Sequence, residues 1–370
     1  WIDISIGGNS VKIRLNQNEP TRHLIAIRGW QSSTVIIKAN PFTLEEVSAA
    51  RSFAASRAFD LVWVPGMERS DANRINILRA PQFYDAARAL LGPTAADYVA
   101  GAKYHLAPAT DDRPYFGDFF RWRLLPELFA KRDRGGIGLM EWGIPLLAAT
   151  LLQAVVLSPI LILLPLVLAR RLRTRAAPRP GRWRILVFFL SLGLGFMAIE
   201  IAFVQRYVLL LGHPVYATAM TLSGFLVFAG LGSLTSERWS QRLGNSDRVL
   251  HTAALAVIAL IGLNIVAFPS LYTATSAWPF VAKAVLGLGL VAPLAFAMGQ
   301  FFPLGLAAVG RAAPQLVPWA WAINGCASVL GVLLATLTTV HAGFTAVLLS
   351  GAVLYIIAAR CNPRVLKAFR

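Results

Sequence analysis

Two acids stand side by side in the string Ala109-Thr110-Asp111-Asp112-Arg113-Pro114-Tyr115-Phe116. A carboxylate pair can hold an amine substrate or take its proton. The same residue types also build an Asx or ST turn, in which Thr110 and Asp111 bond nearby backbone N–H groups, Arg113 pairs with a carboxylate and Pro114 fixes the exit. No His or Lys adjoins the pair to complete a proton relay, so the turn reading weighs more. A second set of polar residues lies in or at the ends of apolar stretches: Glu200, Gln205, Arg206, His213 and Lys283. Each charge there costs about 2.5 kcal/mol or more unless it faces protein or water. Glu200 and Arg206 are six residues apart and project about 240° apart on a helix, so they cannot form the usual i, i+4 pair. Glu200 therefore needs a partner on another helix or a water pocket. It reads as a cation or proton site, or as an interhelical hydrogen-bonding anchor, and the anchor weighs more. Asn264, Gln300 and Asn324 invite the same two readings with a stronger lean to packing.

The chain that positions these residues has 370 residues, 56% of them hydrophobic and 14% charged, whereas soluble proteins carry about 25% charged residues. A long membrane-embedded part follows from that, and the lipid bilayer is its first partner. Up to Arg134 there are 18 Lys and Arg against 14 Asp and Glu; beyond it, 17 against 4. The basic excess flanks apolar stretches rather than forming a basic face, which excludes nucleic acid as a partner and makes the basic loops orientation signals. Two cysteines, Cys326 and Cys361, are too few for a disulfide framework or a metal cluster, so no metal site is expected. The chain begins at Trp1 in mid-pattern and reads as a piece of a longer protein.

The first part alternates like a β-hairpin over Trp1 to Ile6 and Val11 to Leu15, with Gly7-Gly8-Asn9 between. Strands are expected at His23 to Arg28, Ser33 to Lys38 and Phe59 to Val64. A helix is expected at Val47 to Arg57 behind a Thr43/Glu46 capping box. Strand, helix, strand suggests the closing part of an α/β domain with a largely buried sheet. The helical runs Pro81 to Leu91 and Ala95 to Gly101 read as surface additions, and Asp60 and His105 as ordinary surface or loop residues. Gly7-Gly8 lacks the G-x-G-x-x-G spacing between strand and helix, so no dinucleotide loop is present.

The Thr110–Pro114 string resembles the membrane-bound spermidine synthase-like proteins, in which an aminopropyltransferase or methyltransferase-type domain is joined to multi-helix membrane segments. Phe59-Asp60-Leu61-Val62, Pro81-Gln82-Phe83-Tyr84, Phe119-Phe120-Arg121-Trp122, Ile199-Glu200-Ile201-Ala202, Gln205-Arg206 and Gly212-His213-Pro214-Val215-Tyr216 are similar to the same family. The resemblance implies a Rossmann-like domain whose C-terminal portion is present here, with Asp111 and Asp112 as catalytic candidates. It also implies S-adenosylmethionine or its decarboxylated form as cofactor, a polyamine or other small substrate, and a bacterial inner membrane. The cofactor's Gly-rich loop would lie upstream of Trp1, in another part of the same protein, so this chain alone is expected to be inactive.

Phe119 to Arg134 mixes aromatic, Leu and basic residues like an interfacial amphipathic helix, or one packed on the soluble domain. About seven spans follow, near 143–168, 185–211, 214–234, 249–268, 280–303, 315–338 and 343–359, with Pro159, Pro165, Pro293 and Pro318 as kink positions. The division is 1–118 soluble, 119–142 joint, 143–360 membrane bundle and 361–370 basic tail. Seven arginines in 170–184 and the basic tail place those segments in the cytoplasm, with 269–279 and 339–342 outside. A transporter-like module carrying an inert soluble domain is the competing reading, and a purely structural scaffold the third.

Overall fold

The computed structural model describes residues 2–6, 9–13, 19–30, 32–106, 109–115, 117–131, 142–171 and 182–363. The chain divides into two units: Trp1–Ala107 with Phe119–Leu124, and Pro108–Asp118 with Leu125–Arg370. The Thr110–Tyr115 string therefore belongs to the helical unit, not to the unit that precedes it in sequence.

In the first unit, β1 (Ile2–Ile6) and β2 (Asn9–Ile13) form the expected hairpin, paired from Ile2↔Ile13 to Ile6↔Asn9. A separate three-stranded sheet has the order β4 (Ser33–Ile37), β3 (Leu24–Arg28), β5 (Asp60–Trp63), and both pairings are antiparallel. The sheet is not the parallel one that a Rossmann-like domain would need, and no Rossmann fold is formed among the described residues. Strand β3 is buried, while β4 is an exposed edge, so the sheet is only partly covered. Helix α1 (Leu44–Ser56) links β4 to β5 and starts at the expected capping box: the Thr43 hydroxyl accepts from the Glu46 amide, and the Glu46 carboxylate from the Thr43 amide.

Two expectations in this unit are corrected. Helix α2 (Gln82–Leu91) is a core element rather than a surface addition. Its Tyr84 is buried, stacks on Trp63 at 5.8 Å and donates to the Met67 carbonyl. Asp60 is no surface residue: it is 2% exposed, pairs with Arg28 at 3.2 Å and accepts the backbone N–H groups of Arg74, Ile75 and Asn76. One buried carboxylate thus holds the 73–78 loop, which satisfies the charge that burial would otherwise disfavour.

Helix α3 (Ala95–Gly101) ends on carbonyls that receive a guanidinium: Arg121 donates to Val99 and Ala100, each at 2.9 Å, and Arg123 donates to Ala102. Cations at a helix C-terminus meet its orphan carbonyls. The expected single amphipathic helix over 119–134 is instead a 3-10 turn at Trp122–Leu124 followed by α4 (Leu125–Lys131), and 132–134 lie outside the described residues. The basic residues at 121 and 123 are committed to the α3 end, which favours the packed reading for 119–124.

The helical unit comprises α5 (Gly143–Arg171), α6 (Arg182–Leu211), α7 (Pro214–Arg242), α8 (Ser246–Ala274), α9 (Phe280–Gly299), α10 (Phe301–Ala312) and α11 (Val317–Arg360). Among the described residues, six helices are long and apolar enough to cross a membrane, with α9 and α10 counted as one and both arms of α11 as one. The chain is a multi-pass integral membrane protein. Helix α7 continues past the expected end at 234, so that Glu237, Arg238 and Arg242 ride on its last turns. Pro318 sits in the first turn of α11, where its missing N–H costs nothing, and so it makes no kink. Helices α8 and α9 run through Pro269 and Pro293. Of the seven arginines expected between the first two spans, Arg170 and Arg171 end α5, Arg182 and Arg184 begin α6, and Arg173, Arg175 and Arg179 lie outside the described residues.

The 44 residues of α11 would extend about 66 Å, roughly twice a bilayer core. The helix breaks at Gly343 (φ 87°, ψ 170°), a backbone region open essentially to glycine. Gly331, before the break, lies against Leu194 and Met197 of α6; Gly351 and Tyr355, after it, lie against Ile199 and Gly195 of the same helix. The two arms therefore run in opposite directions along α6, over the positions expected for the sixth and seventh spans, although they count as one of the six apolar helices. The expected loop at 339–342 is helical up to the break. Small residues let the helices meet closely: a Cβ on Gly193 would stand 2.6 Å from the Asn324 carbonyl and from Ala327, and Asn324 donates to the Phe189 carbonyl. Lipid provides no hydrophobic drive between helices, so this contact supplies the association.

Burial alone would raise the Asp60 pKa, but the three backbone N–H groups and Arg28 outweigh it and hold the carboxyl below its ordinary 3.8. The stability it contributes is present above that value and is lost as pH falls through the depressed one. Asp60→Asn should cost about 3 kcal/mol, since Arg28 is left buried without its counter-charge. Pulse proteolysis at the 73–78 loop checks it; unchanged cleavage at neutral pH would contradict the assignment.

Candidate functional site

The Thr110–Tyr115 string closes on itself before it meets anything else. Thr110 and Arg113 exchange backbone hydrogen bonds of 3.1 and 2.9 Å, and the Arg113 amide also reaches the Thr110 hydroxyl. This is the turn reading. The turn presents Asp112 and Arg113 to the break at Gly343.

A helix break leaves N–H groups unpaired at the start of the second arm and carbonyls unpaired at the end of the first. The Asp112 carbonyl accepts from the Phe344 amide at 3.0 Å, and its Oδ1 accepts from the Thr345 amide at 2.9 Å and the Thr345 hydroxyl at 2.7 Å. The Arg113 guanidinium donates to the His341 carbonyl at 3.0 Å. Arg113 thus meets a helix carbonyl, not the carboxylate expected for it. An acid at a helix start and a base at a helix end both match the helix dipole.

Tyr115 completes the attachment. Its hydroxyl donates to Gln205 Oε1 or to Thr339 Oγ1 (2.9 Å), and its ring meets Phe344 edge-on at 6.3 Å. Burial pushes the phenol above its ordinary pKa, against a smaller opposing effect of the Thr339 hydrogen bond, so it stays a donor.

Beside the string lies a cavity of about 280 Å³, lined by Asp111, Asp112, Arg206, Phe268, Tyr272 and Thr345 among others. Among the residues singled out in the sequence, Asp111, Asp112 and Arg206 come together here, with Gln205 held by Tyr115. Glu200 is 5% exposed within α6 and makes no hydrogen bond or ion pair among the described residues. Its burial is as expected, but no anchoring partner is found. His213 is exposed, with its ring 4.8 Å from that of Tyr216, and Lys283 donates to the Ser276 carbonyl. Neither lines this cavity. Asn264 donates to Leu260 within its own helix.

Arg113, Tyr115, Thr345, Phe268 and Gly343 complete the site and were not singled out as site residues. The density of capping residue types in one Pro-bounded string was the available signal. Their partners are remote: Asp112 and Thr345 are 233 positions apart. No metal-binding group of His, Cys, Asp or Glu occurs among the described residues. Comparison with known protein families, curated proteins and solved structures finds no match to this chain.

A Cβ on Gly343 would stand 2.1 Å from the Asp112 carboxylate and would have to adopt φ 87°. Gly343→Ala should therefore cost about 2 kcal/mol or more in detergent. Gly230→Ala, where a Cβ meets open space, should change stability by less than about 0.5 kcal/mol. Equal thermal midpoints for the two variants would contradict the strained reversal.

Proposed function

We propose that this chain is the C-terminal part of an integral membrane protein of the spermidine synthase-like type, whose helices complement a transferase unit rather than only tether it. The observation that supports this is the seating of the Thr110–Tyr115 string, the one that carries the resemblance, across the broken helix α11. Detaching the string would leave the Phe344 and Thr345 amides and the His341 carbonyl without the partners it now gives them. Asp112 on this reading is a positioning residue, because its Oδ1 already accepts two hydrogen bonds. Asp111 keeps its carboxylate available.

The described residues offer no strand, Gly-rich loop and helix in succession that fits S-adenosylmethionine or its decarboxylated form. Gly7-Gly8 lies between the strands of a hairpin. No step through that cofactor is assigned to these residues. The transporter-like alternative draws support from one observation, the buried Arg206 at the cavity.

The protein purified from its own membrane should transfer a labelled aminopropyl or methyl group from the corresponding sulfonium donor to putrescine. Transfer should fail when Thr110–Tyr115 is replaced by a Gly-Ser segment. No transfer from either donor would overturn the transferase reading.

The positive-inside rule supports a cytoplasmic 170–184 stretch and tail in a bacterial inner membrane. Ala177→Cys should then react with an impermeant maleimide only in opened cells. Labelling in intact cells would reverse the orientation.

A further inference from the structure

Each member of the Thr110–Tyr115 string has a structural task except Asp111. Thr110 closes the turn, Asp112 and Arg113 serve the helix break, Pro114 sets the exit and Tyr115 reaches α6. Asp111 is exposed, makes no hydrogen bond or ion pair among the described residues, and lines the cavity.

The same cavity is lined by a group that lacks a hydrogen-bonding partner. Arg206 is 5% exposed, and its Nε and Nη1 are buried without a hydrogen bond. No carboxylate lies within ion-pair distance of it among the described residues. The Phe268 ring faces the guanidinium at 4.6 Å, an attraction too weak to replace the hydration of a full charge. Asp112 lines the same cavity, but its Oδ1 is committed to Thr345. A guanidinium cannot shed its proton, so the charge persists and the site is electrostatically incomplete.

We propose that this cavity binds a small zwitterionic group, its phosphate or carboxylate on Arg206 and its ammonium toward Asp111. Arginine suits such anions through directed N–H donors, and the cavity's size admits a small molecule or a headgroup. The apolar lining from Leu209, Ile265 and Pro269 permits two sources of the same chemistry, a free zwitterion or an ethanolamine phospholipid headgroup. A polyamine has no anion to offer Arg206 and so cannot complete its charge. The proposal does not depend on the transferase reading.

The test titrates O-phosphoethanolamine into the full chain in detergent and follows retention of phosphatidylethanolamine by native mass spectrometry. Saturable binding of either probe is expected, weakened at least tenfold by Arg206→Gln and unchanged by Lys283→Gln, with no competition from spermidine. Binding of the lipid alone assigns the headgroup as source; binding of the soluble probe assigns a free ligand. Asp111→Asn should weaken phosphoethanolamine more than inorganic phosphate, and an equal loss would overturn the role of Asp111. Arg206→Met guards against a folding defect: without probe, its thermal midpoint should equal or exceed that of the parent, because an uncompensated charge is gone. A lower midpoint would make Arg206 a structural anchor and overturn the proposal, as would retention of neither probe or binding undiminished in Arg206→Gln.

Discussion

The helical unit depends on how one broken helix is closed. Where α11 turns back at Gly343, two helix ends meet, one short of hydrogen-bond acceptors and the other short of donors. Asp112 and Arg113 answer both from consecutive positions of one turn, the acid at the new helix start and the base at the old helix end. Backbone groups freed by this reversal are met by protein: the Phe344 and Thr345 amides by Asp112, and the His341 carbonyl by Arg113. The same turn brings Tyr115 to Gln205 and Thr339, which ties the reversal to α6.

Helix α6 is the shared surface on which this closure matters. Both arms of α11 lie along it, and the close approach at Gly193 leaves no room for a side chain. The polar residues of α6 are therefore placed by packing: Gln205 takes a hydroxyl from the closing turn, Glu200 is enclosed, and Arg206 is buried at the cavity edge. The cavity is lined by the turn together with residues of α6, α8 and the second arm of α11. Closure of the helix and formation of a candidate binding site are consequences of the same six residues.

Much of the architecture was legible because it rests on local signals. Apolar windows marked the membrane helices, the Thr43/Glu46 pair marked the start of α1, and the alternation around Gly7-Gly8 marked the first hairpin. What local signals could not carry were partners far apart in sequence. Asp60 reads as an ordinary loop acid until the amides of Arg74 to Asn76 fold onto it. Tyr84 reads as part of a surface helix until it stacks on Trp63. The stretch at 339–342 reads as a plain loop, because uncharged residues between two apolar runs do not reveal a helix that ends only at Gly343. Of the site itself, the acids and Arg206 were visible as residues out of place, whereas the reversal that brings them together was not. The pairing of the sheet was not legible, since strand-like runs carry no mark of parallel or antiparallel neighbours.

The central claim is that the Asp112 carboxylate stabilises the reversal through Thr345. A double-mutant cycle on Asp112→Ala and Thr345→Ala, read as unfolding free energy in detergent, measures that coupling directly. The hydroxyl half of the contact should give about 1 kcal/mol or more, because a hydrogen bond to a charged group is at stake. Strictly additive effects, with coupling below about 0.3 kcal/mol, would contradict the account.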